Sequence, residues 1–568
     1  MPLKERSSDI SSISSNNKDH KVISEEKCIE ENGENGLVKI LTTGGLRGHT
    51  ERKLKPRHID LISIGGSIGT ALFVTIGSGL HYGGCGNLLI AFTIHAFMVY
   101  ICTLTIGELV CYLPVDSPFI THAGRFVDPA FEFIAGYNFY IMASLYIPFE
   151  ITSVNSMIHY WRDDYSPAAA FVPEIVIYLL LNIFAVGYYG ESEFFLSIFK
   201  LILAIGLIIF TFITMVGGNP QHDAFGFRNF EGIHNAFPSY LGTGASAFWA
   251  AYMKAIFTEV GAEYLSMVAG EAENPRKTMP RAFKTIIYRL SIFYVLGALS
   301  VGIILRHDDP TLTDAIANGA AGANVSPYVI AMKNLNIKVL PHIVNAICIS
   351  SSFSAGNSYM YCSSRSLFQL ANRGFAPKWF TYTTKNGVPL GALVMSVCFS
   401  MLSLMQLGST AKVALDWMVN LCTGAQVLNY VFMMVTYLHF YRACKVQGVS
   451  RFEMPLQDWM TKLQPYPAIF CLVCMSLIVM FLGAQAFIPS FDRNSFLYYY
   501  LMVFIDVFLF IFWKLLKKTK FVKPEEADLI SGLAEVDEHE AHLAARKQLV
   551  SEELGKDSKI SKMFNWIF

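Results

Sequence analysis

The stretch IGGSIGT at residues 64–70 places three glycines and two hydroxyls in the middle of a long apolar run. Each glycine lowers the stability of a helix by roughly 1 kcal/mol relative to alanine. One interpretation is a small-residue face for helix packing. The favoured interpretation is an interrupted membrane helix, because irregular backbone at membrane depth persists where protein or a cavity surrounds it. The freed N–H groups would then hold an anionic group at Ser67, Ile68, Gly69 and Thr70.

A second run, KAIFTEVGAEY at residues 254–264, has the same character. A glycine again stands in the middle of an apolar stretch, and here ionisable residues flank it. A second interrupted helix five spans after the first is typical of an inverted five-plus-five repeat, with the ligand between the two breaks. The sequence therefore predicts an amine-and-carboxylate site. N–H groups of the first break would take the carboxylate, and the second break would take the ammonium at Ile256, Phe257, Thr258, Glu259 and Gly261.

The composition around these two runs is that of a membrane protein. The chain has 568 residues, of which 53% are hydrophobic and 15% are charged, whereas soluble domains are about 25% charged. The charges concentrate at the two ends. We therefore predict a disordered cytoplasmic tail at 1–57, a transporter domain at 58–513 and a cytoplasmic tail at 514–568. Lysines in the tails serve solubility or accept regulatory ubiquitin from a ligase.

The same composition excludes several classes of function. With 44 basic and 44 acidic residues, the chain lacks the basic surface that nucleic acid requires. Its 11 cysteines are scattered through apolar runs and suggest neither a disulfide framework nor a metal site. No nucleophile, metal-ligand set or phosphate-binding glycine loop stands out, so we expect no enzyme, no metal and no cofactor.

Twelve apolar segments with few charges predict an all-α membrane protein with twelve transmembrane helices. Short loops on one side hold 23 Lys and Arg residues and those on the other hold 7. Because basic loops stay in the cytoplasm, both termini are expected there. A glycosylation sequon begins at Asn324, in a predicted outside loop. The segments are 59–80, 86–113, 131–158, 171–189, 194–216, 245–270, 286–305, 340–371, 388–407, 413–441, 467–488 and 496–513.

Eight charged residues fall within or near these segments. Each would cost about 2.5–3.5 kcal/mol at the centre of a bilayer, so we expect them to face the interior of the bundle and to form an ion or proton path. Asp416 and Asp506 lie near segment ends, where interfacial placement is the simpler interpretation. Lys200, surrounded by apolar residues, is suited to exchanging a proton. The other five are Glu108, Glu150, Lys254, Glu259 and Glu263.

Several longer motifs resemble the fungal amino-acid permeases of the amino acid–polyamine–organocation superfamily. They include RHIDLISIGGSIGTALF at 57–73, FKLILAIGL at 199–207 and GEAENPRKTMPRAFK at 270–284. The resemblance extends from Arg57 to about Lys520. Within the family, VDSPF at 115–119 and IPFEITSVNSMIHYWRDDYS at 147–166 are similar to the yeast general amino-acid permease branch linked to carnitine and polyamine uptake.

The resemblance implies a LeuT-type fold, five-plus-five helices and two more, and a multi-pass plasma-membrane symporter driven by protons. Ser67, Gly69 and Thr70 would bind the substrate carboxylate, and Phe257 would be an aromatic gate. The expected proton-coupling residues are Lys200, Glu263 and Glu150, with the Lys200 amine occupying the place that sodium fills in sodium-driven relatives.

This sequence departs from the family pattern at Ser67, Ala71, Ala262 and Glu259, where Thr, Gly, Thr and an apolar or aromatic residue are usual. An additional carboxylate at Glu259 favours a cationic substrate, such as a polyamine, a basic amino acid or carnitine. The expected partners are this small molecule, protons and membrane lipid. The alternative is a nutrient sensor that binds such compounds and regulates uptake without transporting them.

Overall fold

The structure is a computed structural model that describes residues 52, 54–65, 68–162, 164–184, 186–317, 326–384, 387–407 and 411–553. The first 51 residues, the residue Ser67 and the sequon at Asn324 lie outside the described residues. Statements about those positions therefore remain predictions.

The described residues form helices joined by loops, and their only β-type pairings are isolated bridges such as Leu54 with Ala272. Helices of seven or more residues are numbered in chain order. They are α1 (Pro56–Gly65), α2 (Ile76–Tyr112), α3 (Pro118–Phe126), α4 (Pro129–Ile158), α5 (Ala168–Phe184), α6 (Val186–Met215), α7 (Gly244–Thr258), α8 (Ala262–Val268), α9 (Pro275–Arg289), α10 (Leu296–Ile304), α11 (Pro310–Ala317), α12 (Pro327–Asn334), α13 (Leu340–Asn372), α14 (Leu390–Ser400), α15 (Ala411–Gln447), α16 (Tyr466–Phe481), α17 (Arg493–Lys517) and α18 (Leu533–Glu553).

Two π-helical turns and one bend join some of these helices. The turn Ala71–Thr75 leads into α2, and the turn Leu290–Val295 lies between α9 and α10. Gly84, with φ at 74°, bends α2 sharply. The sequence predicts a loop at 81–85, between the first two segments. The structure instead has helix on both sides of a bend at Gly84.

Among the described residues, six helical ranges are long and apolar enough to cross a membrane, by length and composition. Two more apolar helical ranges, Ala168–Ile183 and Leu390–Met405, are shorter. α4 and α13 are long, with 30 and 33 residues, but they carry many polar side chains. The six ranges are Ala71–Tyr112, Gly190–Met215, Pro275–Ile304, Leu415–Gln447, Tyr466–Phe487 and Arg493–Lys517.

The outer helices bury their polar faces and expose their apolar faces. On α6, Phe195, Phe199 and Ile202 are 50–60% exposed, whereas Glu193 and Lys200 are fully buried. This distribution is the reverse of that in a soluble protein, and it matches a lipid environment in which charged groups are costly. The exposed apolar belt continues over α16 and α17.

The interior position is confirmed for five of the six charged residues for which it was the favoured interpretation. The sixth, Lys254, is half-buried, and Asp416, near a segment end, is exposed. Asp506 corrects an expectation: it is 3% exposed instead of interfacial, because the face of α17 that carries it turns toward the bundle. The buried six are Glu108, Glu150, Lys200, Glu259, Glu263 and Asp506.

The centre of the bundle is built by two sets of packed helices. α4 packs against α13 and α15, and α2 packs against α7. The chain breaks predicted in the first and sixth spans lie at the ends of α1 and α7, where they meet this central group. α4 and α13 therefore supply the side chains that face the first break.

A buried ion pair fastens the end of α2 to the loop after α15. Arg451 donates to both carboxylate oxygens of Glu108, at 2.6 and 2.8 Å, and Tyr437 donates to the same group at 2.9 Å. Burial alone would lower the pKa of Arg451, but hydrogen bonding to Glu108 raises it above its usual value. The guanidinium therefore stays charged.

Replacing Glu108 by Gln is expected to destabilise the protein by about 3–5 kcal/mol, because it leaves the buried Arg451 charge without its counter-charge. The matched control is Asp223→Asn, which breaks an exposed pair with Arg228 and is expected to cost about 0–1 kcal/mol. Thermal unfolding of the purified protein in detergent measures both. Equal effects of the two substitutions would contradict the structural role given to Glu108.

Candidate functional site

The first break has the predicted position. α1 ends at Gly65, Ile68 and Gly69 are not helical, and the next helical turn begins at Ala71. Ile68 and Thr70 are buried. The Ile68 carbonyl oxygen accepts a hydrogen bond from Ser351 of α13 at 3.4 Å. Thr70 supplies two donors at the break, its backbone N–H and its hydroxyl, and it stands at the N-terminal end of the helical stretch that continues into α2.

The carboxylate of Glu150, on α4, occupies these donors. It accepts hydrogen bonds from the Thr70 hydroxyl, from the Thr70 backbone N–H at 3.4 Å and from the Ser352 hydroxyl at 2.6 Å. Hydrogen bonds to a charged acceptor are stronger than neutral ones, and the positive end of a helix adds to them. The groups predicted to hold a ligand's carboxylate therefore hold a carboxylate of the protein itself.

Gly69 is required at the first break by this close approach. A Cβ added at Gly69 would overlap Glu150 Oε1 and would come within 3.0 Å of the Ala355 Cβ. The glycine-rich pattern in the sequence thus serves two purposes, since it ends the helix and it lets a carboxylate approach the backbone.

The second break also has the predicted position. α7 ends at Thr258, and α8 begins at Ala262. The Gly261 N–H donates to the Glu263 carboxylate at 3.0 Å, and the Gln426 side chain donates to the same oxygen at 2.8 Å. Glu263 therefore caps the start of α8.

Side-chain donors occupy the carbonyl oxygens freed at the second break. Tyr146 donates to the Phe257 oxygen at 3.1 Å, and Tyr430 donates to the Glu259 oxygen at 3.2 Å. Arg289 donates to the Val260 oxygen at 3.0 Å. These carbonyl oxygens are thus paired with donors of the protein itself, and an ammonium site at the second break stays a prediction.

Arg289 belongs to this site, although the sequence marks it only as a basic residue at the cytoplasmic end of the predicted segment 286–305. It lies at the end of α9, is 2% exposed and interacts electrostatically with both Glu259 and Glu263. A Cβ added at Gly261 would overlap its guanidinium. The chain therefore carries a fixed cation behind the second break, where it offsets two carboxylates.

Aromatic rings fill the space next to Phe257. Tyr146 stacks on Phe257 at 5.2 Å and on Tyr359 at 4.3 Å, while Phe149 meets Phe257 edge-on at 5.0 Å. All four rings are buried. The role of Phe257 as an aromatic gate, which the family resemblance implies, stays a prediction.

Lys200 is paired within its own helix. Its amine donates to Glu193 at 3.3 Å, and Ser354 of α13 donates to the other carboxylate oxygen at 2.7 Å. Lys200 also interacts electrostatically with Glu150. The predicted proton-coupling residues Lys200 and Glu150 are therefore brought together, whereas Glu263 lies at the second break.

Glu259 is the least satisfied group of the site. It is fully buried, and neither side-chain oxygen has a hydrogen-bond partner among the described residues. Thr258, next to it, donates its hydroxyl to the Lys254 carbonyl at 2.7 Å, and Ile256 is buried in the core. Within the described part of the chain, no three His, Cys, Asp or Glu side chains form a group that could hold a metal ion.

Several residues of the site were not predicted. Ser351 and Ser352 lie in the run ISSSFSAGNS at 349–358, whose concentration of hydroxyls in an apolar segment was an available signal. Glu193 fell in a predicted loop, because the sequence begins the fifth segment at 194 whereas α6 begins at Val186. Nothing in the sequence pattern marks Gln426 or Tyr430 as neighbours of the second break.

A membrane-embedded helix bundle with two broken helices around a buried polar centre is typical of small-molecule transporters. The family model for amino acid permeases matches residues 58–525. The chain belongs to the amino acid permease family and is a multi-pass membrane protein.

Individual relatives agree with this assignment. The chain is 44% identical over 509 residues to the general amino acid permease AGP2 of Saccharomyces cerevisiae, covering 88% of this chain and 85% of that protein. It is 34% identical over 496 residues to the proline-specific permease of Emericella nidulans, with 86% and 89% covered. It is 32% identical over 535 residues to the lysine-specific permease of Saccharomyces cerevisiae, with 93% and 85% covered.

Replacing Gly69 by Ala is expected to lower stability by about 1–3 kcal/mol, because the added methyl group overpacks against Glu150. The matched control is Gly206→Ala, since a Cβ there meets nothing within 4 Å. That change is expected to raise helix stability by up to about 1 kcal/mol. Thermal unfolding in detergent measures the two effects, and a stabilising Gly69→Ala would show that Glu150 does not approach the backbone.

Proposed function

We propose that the protein is a proton-coupled symporter of amino acids or related amines, located in the plasma membrane. In this proposal it has twelve spans, a LeuT-type five-plus-five repeat with two further helices, and both termini in the cytoplasm. The family membership and the named substrates of its relatives support the substrate class. The two chain breaks support the repeat, because they fall in the predicted first and sixth spans.

The single observation that carries proton coupling is the position of the Glu150 carboxylate on the Thr70 donors. A substrate carboxylate needs the same donors, and two carboxylates repel each other when they share a site. Once Glu150 binds a proton it becomes neutral, and its hydrogen bonds with Thr70 and Ser352 weaken. The donors then become available to the substrate, so one proton enters with each substrate molecule.

Lys200 supports this exchange from the neighbouring helix. When Glu150 is charged, the nearby amine stabilises it, and Glu193 keeps the amine compensated when Glu150 is neutral. The amino group of the substrate would approach the second break, where carbonyl oxygens and the carboxylates of Glu259 and Glu263 converge. Phe257 would close over the bound molecule.

Replacing Glu150 by Gln is expected to abolish uptake against a gradient, because the side chain can no longer gain or lose a proton. Exchange of labelled for unlabelled substrate needs no net proton movement, so it should persist. Reconstituted vesicles with an acidic outside and a panel of labelled amino acids, including proline and lysine, measure both activities. The matched control is Asp506→Asn, another buried carboxylate of the bundle.

Wild-type uptake that ignores the pH gradient would overturn proton coupling. Concentrative uptake by the Glu150→Gln variant equal to that of the wild type would overturn the role of Glu150.

A cationic substrate preference is the second part of the proposal. The buried Glu259 oxygens have no partner among the described residues, so an additional positive group on the substrate would satisfy them. Replacing Glu259 by Gln is expected to reduce uptake of lysine, spermidine and carnitine about tenfold or more, equivalent to about 1.4 kcal/mol. Proline uptake should change little. Equal effects of Glu259→Gln on the uptake of cationic and neutral substrates would contradict the proposed cationic preference.

The alternative function is a nutrient sensor. Contacts of the C-terminal segment with the loop after α8 support this alternative. His539 donates to the Glu273 carbonyl at 3.0 Å, and Arg276 pairs with Asp537. Burial lowers the pKa of His539, so its ring is uncharged at neutral pH. Since Glu273 follows shortly after α8, a change at the second break would reach the tail. Substrate binding without uptake in vesicles would favour the sensor.

A further inference from the structure

α5 buries one polar stripe and exposes an apolar face. Val172, Val176 and Leu180 are 47–56% exposed, as expected for side chains in contact with lipid. The buried stripe has the three- to four-residue spacing of one helix face, and three of its four members are polar. The stripe is Phe171, Glu174, Tyr178 and Asn182, each at most 5% exposed.

Glu174 is a buried carboxylate with one satisfied oxygen. The Tyr178 hydroxyl donates to Oε1 at 2.7 Å, and Oε2 has no hydrogen-bond partner among the described residues. A buried polar group without a partner costs about 1–3 kcal/mol. An ionisable side chain in a membrane helix is costly and usually has a function. The carboxylate of Glu174 can bind a proton.

The stripe contacts the part of α13 that also binds the proposed proton-coupling residues. Tyr178 packs on Phe353 of α13 with 4.9 Å between ring centroids, and Asn182 donates to Asn357 at 2.8 Å. The neighbouring residues of α13, Ser352 and Ser354, bond to Glu150 and Glu193. One short segment of α13 therefore connects the stripe with both carboxylates.

The charges of these groups also interact directly. Glu174 interacts electrostatically with Glu150, and Tyr178 interacts with Glu174, Glu150 and Glu193. The helices packed on α5 contribute few charged groups. α4 contributes Glu150, and α6 contributes Glu193 and Lys200. The facing part of α13 contributes hydroxyl and amide groups, and residues 390–407 contain no acidic, basic or histidine side chain.

We propose that Glu174 receives the transported proton from the outside and passes it to Glu150, with Tyr178 as a positioning residue that holds the Glu174 carboxylate. This inference rests on the proposed symport. Glu174 lies six residues from the start of α5, about 9 Å along the helix, at the end that the proposed topology places outside.

The proton balance of this step is simple. External water supplies a proton to the Glu174 carboxylate, which becomes a neutral acid. The proton then moves to Glu150, so Glu174 regains its negative charge and Glu150 becomes neutral. Glu150 releases the Thr70 donors in that state, which links proton entry to substrate binding.

The test uses the full-length protein in vesicles of uncharged phospholipid, with labelled proline and lysine as probes. For Glu174→Gln, we expect proton-driven uptake at neutral outside pH to fall about tenfold or more, within the range that proton transfer contributes. Uptake should recover as the outside becomes acidic, because Glu150 then gains its proton without the relay. Substrate exchange should equal that of the wild type.

Three matched variants sharpen the test. Glu174→Asp keeps a carboxylate and should keep most of the uptake. Tyr178→Phe keeps the ring packing on Phe353 and removes the hydroxyl, so it should shift the pH dependence in the same direction by a smaller amount. Asp506→Asn removes a buried carboxylate of α17, a helix that packs against α4 and α15, and should leave the pH profile unchanged. If Glu174→Gln fails to reach the membrane, the comparison of Tyr178→Phe with the wild type decides.

The outcomes separate this inference from the function on which it rests. Wild-type uptake that does not respond to a pH gradient overturns the symport and the relay together. Proton-driven wild-type uptake with an unchanged pH profile in Glu174→Gln, or in Tyr178→Phe where that variant decides, overturns only the relay. Equal loss of uptake and exchange in Glu174→Gln shows a structural role and also overturns it.

Discussion

The hydrogen bonds between the Glu150 carboxylate and the donors at the first break are the constraint on which the site depends. They place a carboxyl group in the interior of a helix bundle, where it needs several partners. Thr70 supplies a hydroxyl and a backbone N–H, and Ser352 supplies a second hydroxyl. Three parts of the chain must therefore meet at one point. The absence of a Cβ at Gly69 makes this approach sterically feasible.

The second break has the opposite polarity. Where the first break exposes donors and holds an anion, the second exposes carbonyl oxygens and receives donors from Tyr146, Tyr430 and Arg289. Each break is thus satisfied by the protein's own side chains. A zwitterionic ligand offers the same two kinds of group in one molecule, and the proposed substrate site rests on this match.

Several features were predictable because they depend on local chemistry. Glycines within an apolar run weaken a helix wherever it is placed, so both breaks could be located from residues 64–70 and 254–264. Charged side chains avoid lipid, so the inward position of Glu150, Lys200 and Glu263 followed from composition. Position 67 lies outside the described residues, and its role stays a prediction.

What the sequence by itself determined is the class of protein, the breaks and the residue types available to a carboxylate-and-amine site. The tertiary structure alone decided the pairing of these residues. Glu193 with Ser354, Arg289 behind the second break and Asn182 with Asn357 all depend on which helix faces pack together. The periodicity of one helix shows which face is polar, but the partner of that face lies on another helix far along the chain. Only packing in three dimensions brings the two together.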